Sequence, residues 1–295
     1  MSKIFITRPI PDNGINMLKA KGYEVVVNTA AADRAATEEE MIAGVKGADA
    51  LLPLLTDKVT AAVMDAGLPT PARQSGGGLK IIANYAVGFD NVDRAAARER
   101  KIVVTNTPEV LTTAVAEHTI ALMLAIARRI PEADRFTRAG KYAGWASDLL
   151  VGTELAGKTL GIVGLGRIGA HVAHHVAKGF AMKIAYTDIR PSEEFEEEHG
   201  AVFYKTIDEL LPMCDVVSLH VPLLDSTRHL INEARLALMK PTAYLINTAR
   251  GPVVDEAALA TALKEKKIAG AALDVFEDEP RIHPDLLKLE NVVLT

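Results

Sequence analysis

Short apolar runs alternate with amphipathic ones from the first residues onward. Residues 3–7 read as a strand, and 12–21, with Ile15 and Leu18 on one face, as a helix. Residues 23–27 form the next strand. Thr37 stands as a helix cap with Glu40 three positions on, the pattern of a capping box. Strands follow over 48–55, 79–83 and 102–105, with helices over 60–66 and 92–100 between them. The Pro- and Gly-rich run 68–78 predicts an exposed loop. Alternating strands and helices on short connections indicate a parallel α/β domain. No period of repeat length recurs, so a solenoid is excluded.

The pattern then changes. Residues 110–129 read as one long helix, apolar on nearly all sides, which predicts burial between layers. Glu117 and His118 inside it, and the charges at its end, argue against a membrane span. A polar helix (130–141) and an aromatic-glycine stretch (142–145) lead into a second α/β series. Its strands are 159–163, 182–186, 215–219, 243–246 and 268–273, and its helices 167–180, 207–211, 232–239 and 256–266. The predicted division is a first domain over 1–102 and a second, doubly wound domain over 103–290.

The richest stretch opens this second series. An apolar strand runs into Gly164-Leu-Gly166-Arg167-Ile168-Gly169, then into an amphipathic helix and a second strand ending at Asp188. This is the dinucleotide-binding fingerprint in its required strand–turn–helix–strand context. Gly164 permits the tight turn, Gly166 lets a pyrophosphate approach the backbone, and Gly169 lets helix and sheet pack closely. The helix N-terminus offers N–H groups and a positive dipole end to phosphate. Asp188, about 20 residues beyond the turn, is placed to accept ribose hydroxyls, which favours NAD over NADP. Arg190 pulls the other way, since an arginine there can receive a 2′-phosphate.

Composition narrows the picture further. The chain has 295 residues, room for two domains, with 49% hydrophobic and 24% charged residues. A net charge of −5 without a basic run gives no reason to expect nucleic acid or a membrane surface as partner. The N-terminus lacks the apolar core of a signal peptide, and the single cysteine, Cys214, cannot form an intrachain disulfide. A reducing, cytoplasmic setting is the expectation. Cys214 reads as a small buried side chain.

In open α/β sheets ligands gather at the carboxyl ends of the strands. The candidates there are Gly164 and Gly166, Asp188, His220, Arg250 and Asp274, with Glu279 in the loop beyond. Arg250 follows a buried strand and precedes Gly251. It suits a bidentate bond to a substrate carboxylate, and equally a pairing with Asp255 or Glu256 at the next helix start. Glu279 alone reads as a loop acid, and Val87-Gly88 as a turn with N–H groups open to an anion. His118 reads as a hydrogen-bonded core residue. His171 and His175 are one turn apart with no acid in sequence reach, so no metal site is expected.

Several segments together resemble the D-isomer-specific 2-hydroxyacid dehydrogenase family over essentially the whole chain. They are Asn84-Tyr-Ala-Val-Gly-Phe-Asp-Asn-Val-Asp93, Val104-Thr-Asn-Thr-Pro108, the stretch 161–169, Asn247-Thr-Ala-Arg-Gly251, and Ala272-Leu-Asp-Val-Phe-Glu-Asp-Glu-Pro280. Asn84 to Asp93 and Arg135-Phe-Thr-Arg-Ala-Gly140 are most similar to the glyoxylate/hydroxypyruvate reductase branch. The resemblance implies two Rossmann-like doubly wound domains, a flavodoxin-like substrate domain and an NAD-binding domain, with a cleft between. It implies hydride transfer between NAD(H) and C2 of a small 2-oxo or 2-hydroxy acid, with D specificity, in a homodimer. Arg250 would bind the substrate carboxylate and polarise the 2-oxo group, with Val87 and Gly88 adding N–H contacts. The cofactor would lie against Gly164, Gly166, Arg167, Ile168, Gly169, Asp188, His220, Pro222, Thr248, Ala249 and Asp274, the last holding the carboxamide. Glu279 would pair with a proton-donating histidine and raise its pKa. Trp145 resembles a residue that reaches into the partner subunit's substrate pocket, core filling being the alternative.

The family continues past residues 291–295 with a proline and that histidine, and none of the eight histidines here stands in its place. A truncated sequence is the expectation, and poor turnover by these residues alone. A missing histidine also fits an NAD-binding regulator of the corepressor kind. Phosphite dehydrogenase shares the architecture, as does formate dehydrogenase, which Glu279 disfavours because that branch carries glutamine there.

Overall fold

A computed structural model describes residues 1–69 and 78–295. It comprises two compact units, Met1–Val110 and Leu111–Thr295. All but the ends of the expected 68–78 loop lie outside the described residues.

The first unit runs β1 (Lys3–Ile6), α1 (Asp12–Ala20), β2 (Glu24–Val27), α2 (Glu38–Val45), β3 (Ala50–Leu52), α3 (Ala61–Gly67), β4 (Ile81–Ala83), α4 (Arg94–Glu99) and β5 (Val103–Thr105). Its parallel sheet has the order β2-β1-β3-β4-β5, the flavodoxin-like winding. Phe5, Met41, Leu51, Met64 and Ile82 fill its core. The capping box read from Thr37 and Glu40 is formed on both sides. Asp57, wholly buried, accepts from the Ala36 and Leu54 N–H groups (2.9 and 3.0 Å) and from the Thr7 hydroxyl, and Arg8 pairs with it. These bonds tie together the loops that leave β1 and β3.

The expected boundary after residue 102 differs from the observed one. Val103–Thr105 pairs in parallel register with Ile81–Ala83 and completes the first sheet. A short extended run carries no mark of which sheet it will join, so its partner was not legible.

The second unit runs α5 (Thr112–Ala127), α6 (Ile130–Arg138), β6 (Thr159–Val163), α7 (Arg167–Phe180), β7 (Lys183–Thr187), α8 (Glu193–His199), β8 (Val202–Phe203), α9 (Ile207–Leu210), β9 (Val216–Leu219), α10 (Glu233–Leu236), β10 (Tyr244–Asn247), α11 (Glu256–Lys264), β11 (Gly270–Leu273) and β12 (Val292–Leu294). The parallel sheet order is β12-β11-β10-β9-β6-β7-β8. Winding reverses between β6 and β9, the place where an open sheet forms its ligand crevice. Both faces are covered. Leu160, Ile162 and Tyr186 of the sheet pack with Val172 and Val176 of α7 and Met123 of α5, and Leu210, Leu219, Leu245, Leu263 and Leu273 form the other layer. That is why β9, β10 and β11 read as unbroken apolar runs.

The second unit departs from the expected elements in three places. The helix α5 buries only one stripe, through Ala116, Thr119, Met123 and Ile126, while Glu117 and Ala121 are exposed. Its apolar back is alanine and threonine, too small to demand burial. The acidic helix α8 and the two-residue β8 have no periodic apolar face, so the sequence does not announce them. The last strand, β12, pairs with β11 and extends the domain past residue 290. No helix among the described residues is long and apolar enough to cross a membrane.

Candidate active site

The glycine turn is shaped by close approaches. Gly164 has φ +97°, and a Cβ there would lie 2.9 Å from the His220 carbonyl carbon and oxygen. A Cβ on Gly169 would lie 2.3 Å from the Gly164 oxygen. Neither position admits a side chain, so β6, α7 and the β9 end are locked together. A Cβ on Gly166 would meet no atom within 4 Å. Protein packing does not explain that glycine, whereas a ligand lying on the backbone does. Gly166 also caps α7 without a side-chain hydrogen bond, so the helix N-terminus keeps its N–H groups for an anion. Arg167 opens this helix, and Ile168 packs against the core beneath.

The end of β7 supplies the acid. Asp188 accepts from the Leu165 N–H through Oδ2 and from the Ile189 N–H through Oδ1, both at 2.6 Å. A carboxylate has about four lone-pair sites, so it can still accept from a ligand. Asp188 lines a pocket of about 460 Å³ with Leu165, Ile189, Arg190, Pro191 and Ser192. The acid that favours NAD and the arginine that could receive a 2′-phosphate therefore share one pocket.

Across the switch point, burial pushes the His220 imidazole down to about 4, so it is neutral at physiological pH. Its Nε2 lies 2.8 Å from the Ser218 hydroxyl. Pro222, two residues on, accepts through its carbonyl from the Thr227 hydroxyl at 2.6 Å.

The β10 and β11 ends form one assembly. Buried Asn247 accepts from the Ala249 N–H (3.0 Å) and donates to the Arg250 carbonyl (2.9 Å), folding the turn 247–250 over its own side chain. The Thr119 and Thr248 hydroxyls hydrogen-bond at 2.8 Å. Arg250 is half-buried, and its Nη1 donates to the Ala249 carbonyl at 2.6 Å. At Gly251 a Cβ would fall 1.8 Å from the Phe276 oxygen. Only glycine lets the loop carrying Arg250 pass against the loop carrying Asp274 and Glu279. Asp255 and Glu256, the candidate partners of Arg250, take backbone donors: Ala258 for the first, Glu277 and His283 for the second.

Asp274 stands at the end of β11. Its Oδ1 accepts from the Thr295 hydroxyl at 3.0 Å and lies 3.2 Å from His118 Nε2. His118 is thus not a core residue. Its side chain is 40% exposed and faces Asp274. Glu279 accepts the Phe276 N–H through Oε1 at 3.0 Å. Beside it, Glu277 meets His229 at 2.5 Å.

In the first unit, the side-chain amides of three asparagines set the turn after β4. Asn84 donates to the Gly88 carbonyl and pairs with Asn91, and Asn106 donates to the Val87 carbonyl. The carbonyls of Val87 and Gly88 are taken. Their N–H groups donate to no backbone or side-chain acceptor among the described residues. Trp145 is 84% exposed, which overturns core filling for it. Cys214 is buried as read, and burial pushes its thiol up to about 12.

The structure gathers the second-unit candidates at the carboxyl edge of one sheet. Sequence reasoning missed the pairing of His118 with Asp274, Asn247 as the pin of its turn, and the Thr295 bond to Asp274. Asn247 was visible as a buried polar residue ending an apolar run. The pairing of His118 joins residues far apart in the chain, and no local signal marks it.

The chain is similar to known proteins over nearly its whole length. Residues 120–295 match the family model described as "D-isomer specific 2-hydroxyacid dehydrogenase, NAD binding domain". A protein named glyoxylate reductase from Thermofilum pendens is 50% identical over 295 residues, covering 99% of this chain and 83% of that protein. The crystal structure of the TT0316 protein from Thermus thermophilus superposes with a TM-score of 0.89 at 41% identity, covering 99% of this chain and 88% of the other. A structure from Sinorhizobium meliloti, described as an NADPH-dependent glyoxylate/hydroxypyruvate reductase with NADP and malonate, gives 0.83 at 34%, covering 99% and 85%.

Proposed function

The chain belongs to the D-isomer specific 2-hydroxyacid dehydrogenases, and we propose that it reduces glyoxylate or hydroxypyruvate with NADH. That it is an oxidoreductase using a nicotinamide dinucleotide follows from the family and from a glycine turn whose Gly166 has open space where a Cβ would be. Bound there, the dinucleotide supplies the hydride for C2 of the substrate. The turn residues Gly164, Gly166, Arg167, Ile168 and Gly169 would hold its pyrophosphate. Asp188 would accept the ribose hydroxyls, His220, Pro222, Thr248 and Ala249 would pack along it, and Asp274 would hold the carboxamide.

Residues of this chain bind and orient the substrate. Arg250 binds the substrate carboxylate and polarises the oxo group, because a planar guanidinium matches both acceptors at once. Val87 and Gly88 serve as N–H donors to a carboxylate. Glu279 commits one oxygen to Phe276. Its other oxygen is assigned to the imidazolium that delivers the proton, whose charge a carboxylate stabilises. The observation that carries the reading is the close approach at Gly251, which sets the loops of Arg250, Asp274 and Glu279 against each other.

NAD is preferred over NADP because a second anion beside Asp188 would be repelled. The exposure of Trp145 supports a homodimer in which it meets the partner, and light scattering at two chains per particle would agree with that. The test of the activity is steady-state NADH oxidation by the protein, against small 2-oxo acids. Glyoxylate and hydroxypyruvate should be turned over, the latter to the D product. Oxidation of phosphite instead, or no turnover with any 2-oxo acid, would overturn the reading in favour of the related activities on this fold.

A further inference from the structure

On the second unit, α7 and α8 bring three metal-ligating side chains together. Glu198 and His199 end α8, just before Gly200 at φ +59°. His174 Nδ1 lies 3.7 Å from Glu198 Oε1, and His199 Nε2 lies 3.6 Å from the same oxygen. The three ligand atoms all fall within 4.8 Å of one another. These separations are too long for hydrogen bonds. They suit a different geometry. With metal–nitrogen and metal–oxygen bonds of about 2.0–2.2 Å, neighbouring ligands of a tetrahedral centre are roughly 3.3–3.5 Å apart. Small side-chain shifts would close the set.

The surroundings favour such a centre. The His199 side chain is only 4% exposed, and its ring packs edge-on against Phe195 (4.5 Å) and His174 (5.2 Å). Packing therefore holds one ligand rigid, while the half-exposed His174 and Glu198 leave a path for entry. Lys178 Nζ, 3.9 Å from Glu198 Oε1, is too distant to saturate that carboxylate. From sequence no metal site was expected on this helix, because His171 and His175 had no acid to complete one. The fold instead selects His174 and supplies the acid from α8.

We propose that His174, Glu198 and His199 form a binding site for a divalent transition metal of the zinc type, which clamps α8 to α7. Two imidazoles and one carboxylate select zinc, cobalt, nickel or copper over magnesium or calcium. Three protein ligands leave a fourth position for water. The metal braces α8, whose cap residue Ser192 lines the Asp188 pocket, against α7. It takes no part in hydride transfer.

The test is titration of the metal-free protein with Co²⁺, read by visible d–d absorption, followed by displacement with Zn²⁺. The expected result is one Co²⁺ per chain with tetrahedral absorption, and a higher unfolding midpoint with Zn²⁺. His174→Ala and Glu198→Gln should each weaken Co²⁺ binding about tenfold or more, while His171→Ala leaves it unchanged. Unfolding midpoints measured without metal report whether each variant keeps its fold. Absence of d–d absorption at one equivalent, or equal affinity in wild type and both ligand variants, overturns the proposal.

Discussion

Asp188 uses its carboxylate twice. It braces the glycine turn through the Leu165 N–H and it faces the pocket shared with Arg190. Replacing it with alanine therefore loosens the turn for either cofactor, and the informative quantity is the ratio of affinities. Asp188→Ala should narrow the NADH/NADPH ratio by about tenfold or more, because NADH loses a charge-assisted hydrogen bond and NADPH is freed of a repulsion. Fluorescence titration with both cofactors checks this, and an unchanged ratio would assign the preference to another residue. His220 gives a prediction on pH. Its folded pKa of about 4 lies below an unfolded value near 6.5, so the unfolded chain binds the extra proton between them. Stability from this group is complete above about pH 6.5 and declines as pH falls toward 4, by up to roughly 3 kcal/mol. His220→Gln should flatten that part of the acid limb in urea titrations, and an identical limb would contradict the burial argument. Cys214, with its thiol pushed up to about 12 and donating to the Leu210 carbonyl, should resist alkylation until the protein is unfolded.

Elements set how the site is held. The loops after β10 and β11 touch at Gly251, where a methyl group would sit inside the Phe276 carbonyl. Gly251→Ala must push these loops apart, which should cost about 3 kcal/mol or more of stability and most of the activity. Thermal unfolding and NADH oxidation read the two losses, and a fully active, stable variant would refute the close approach. The same place marks the limit of the sequence. Strand ends, the capping box at Thr37 and the strand–turn–helix of the fingerprint were legible because each is set by residues within a turn of one another. Glycine at 251 was visible as a residue, but the carbonyl it avoids lies 25 positions away in the chain. The same holds for His118, which reads as part of an apolar helix and reaches Asp274 only once α5 is laid across the sheet. The helix α8 escaped notice because its sequence, Glu-Glu-Phe-Glu-Glu-Glu-His, is held by one apolar anchor and a buried tyrosine hydroxyl that bonds Glu196.

The whole molecule is two parallel α/β units, each with ligands expected at the carboxyl edge of its sheet. The first holds a turn pinned by Asn84, Asn91 and Asn106, and the second holds the glycine turn and the Arg250, Asp274 and Glu279 loops. Legibility at this scale came from the resemblance and the strand-end rule together. The boundary near residue 110 was not legible, because β5 joins its sheet through backbone bonds alone. At the heart of the account is Arg250 as the group that recognises a 2-oxo acid without holding the dinucleotide. The measurement that bears on it most directly is kcat/KM for NADH-dependent glyoxylate reduction by wild type and Arg250→Lys, with the NADH dissociation constant of each. Lysine keeps the charge and loses the fork. The account predicts a fall of roughly 100-fold in kcat/KM with NADH binding unchanged. Equal kcat/KM in the two proteins would contradict it.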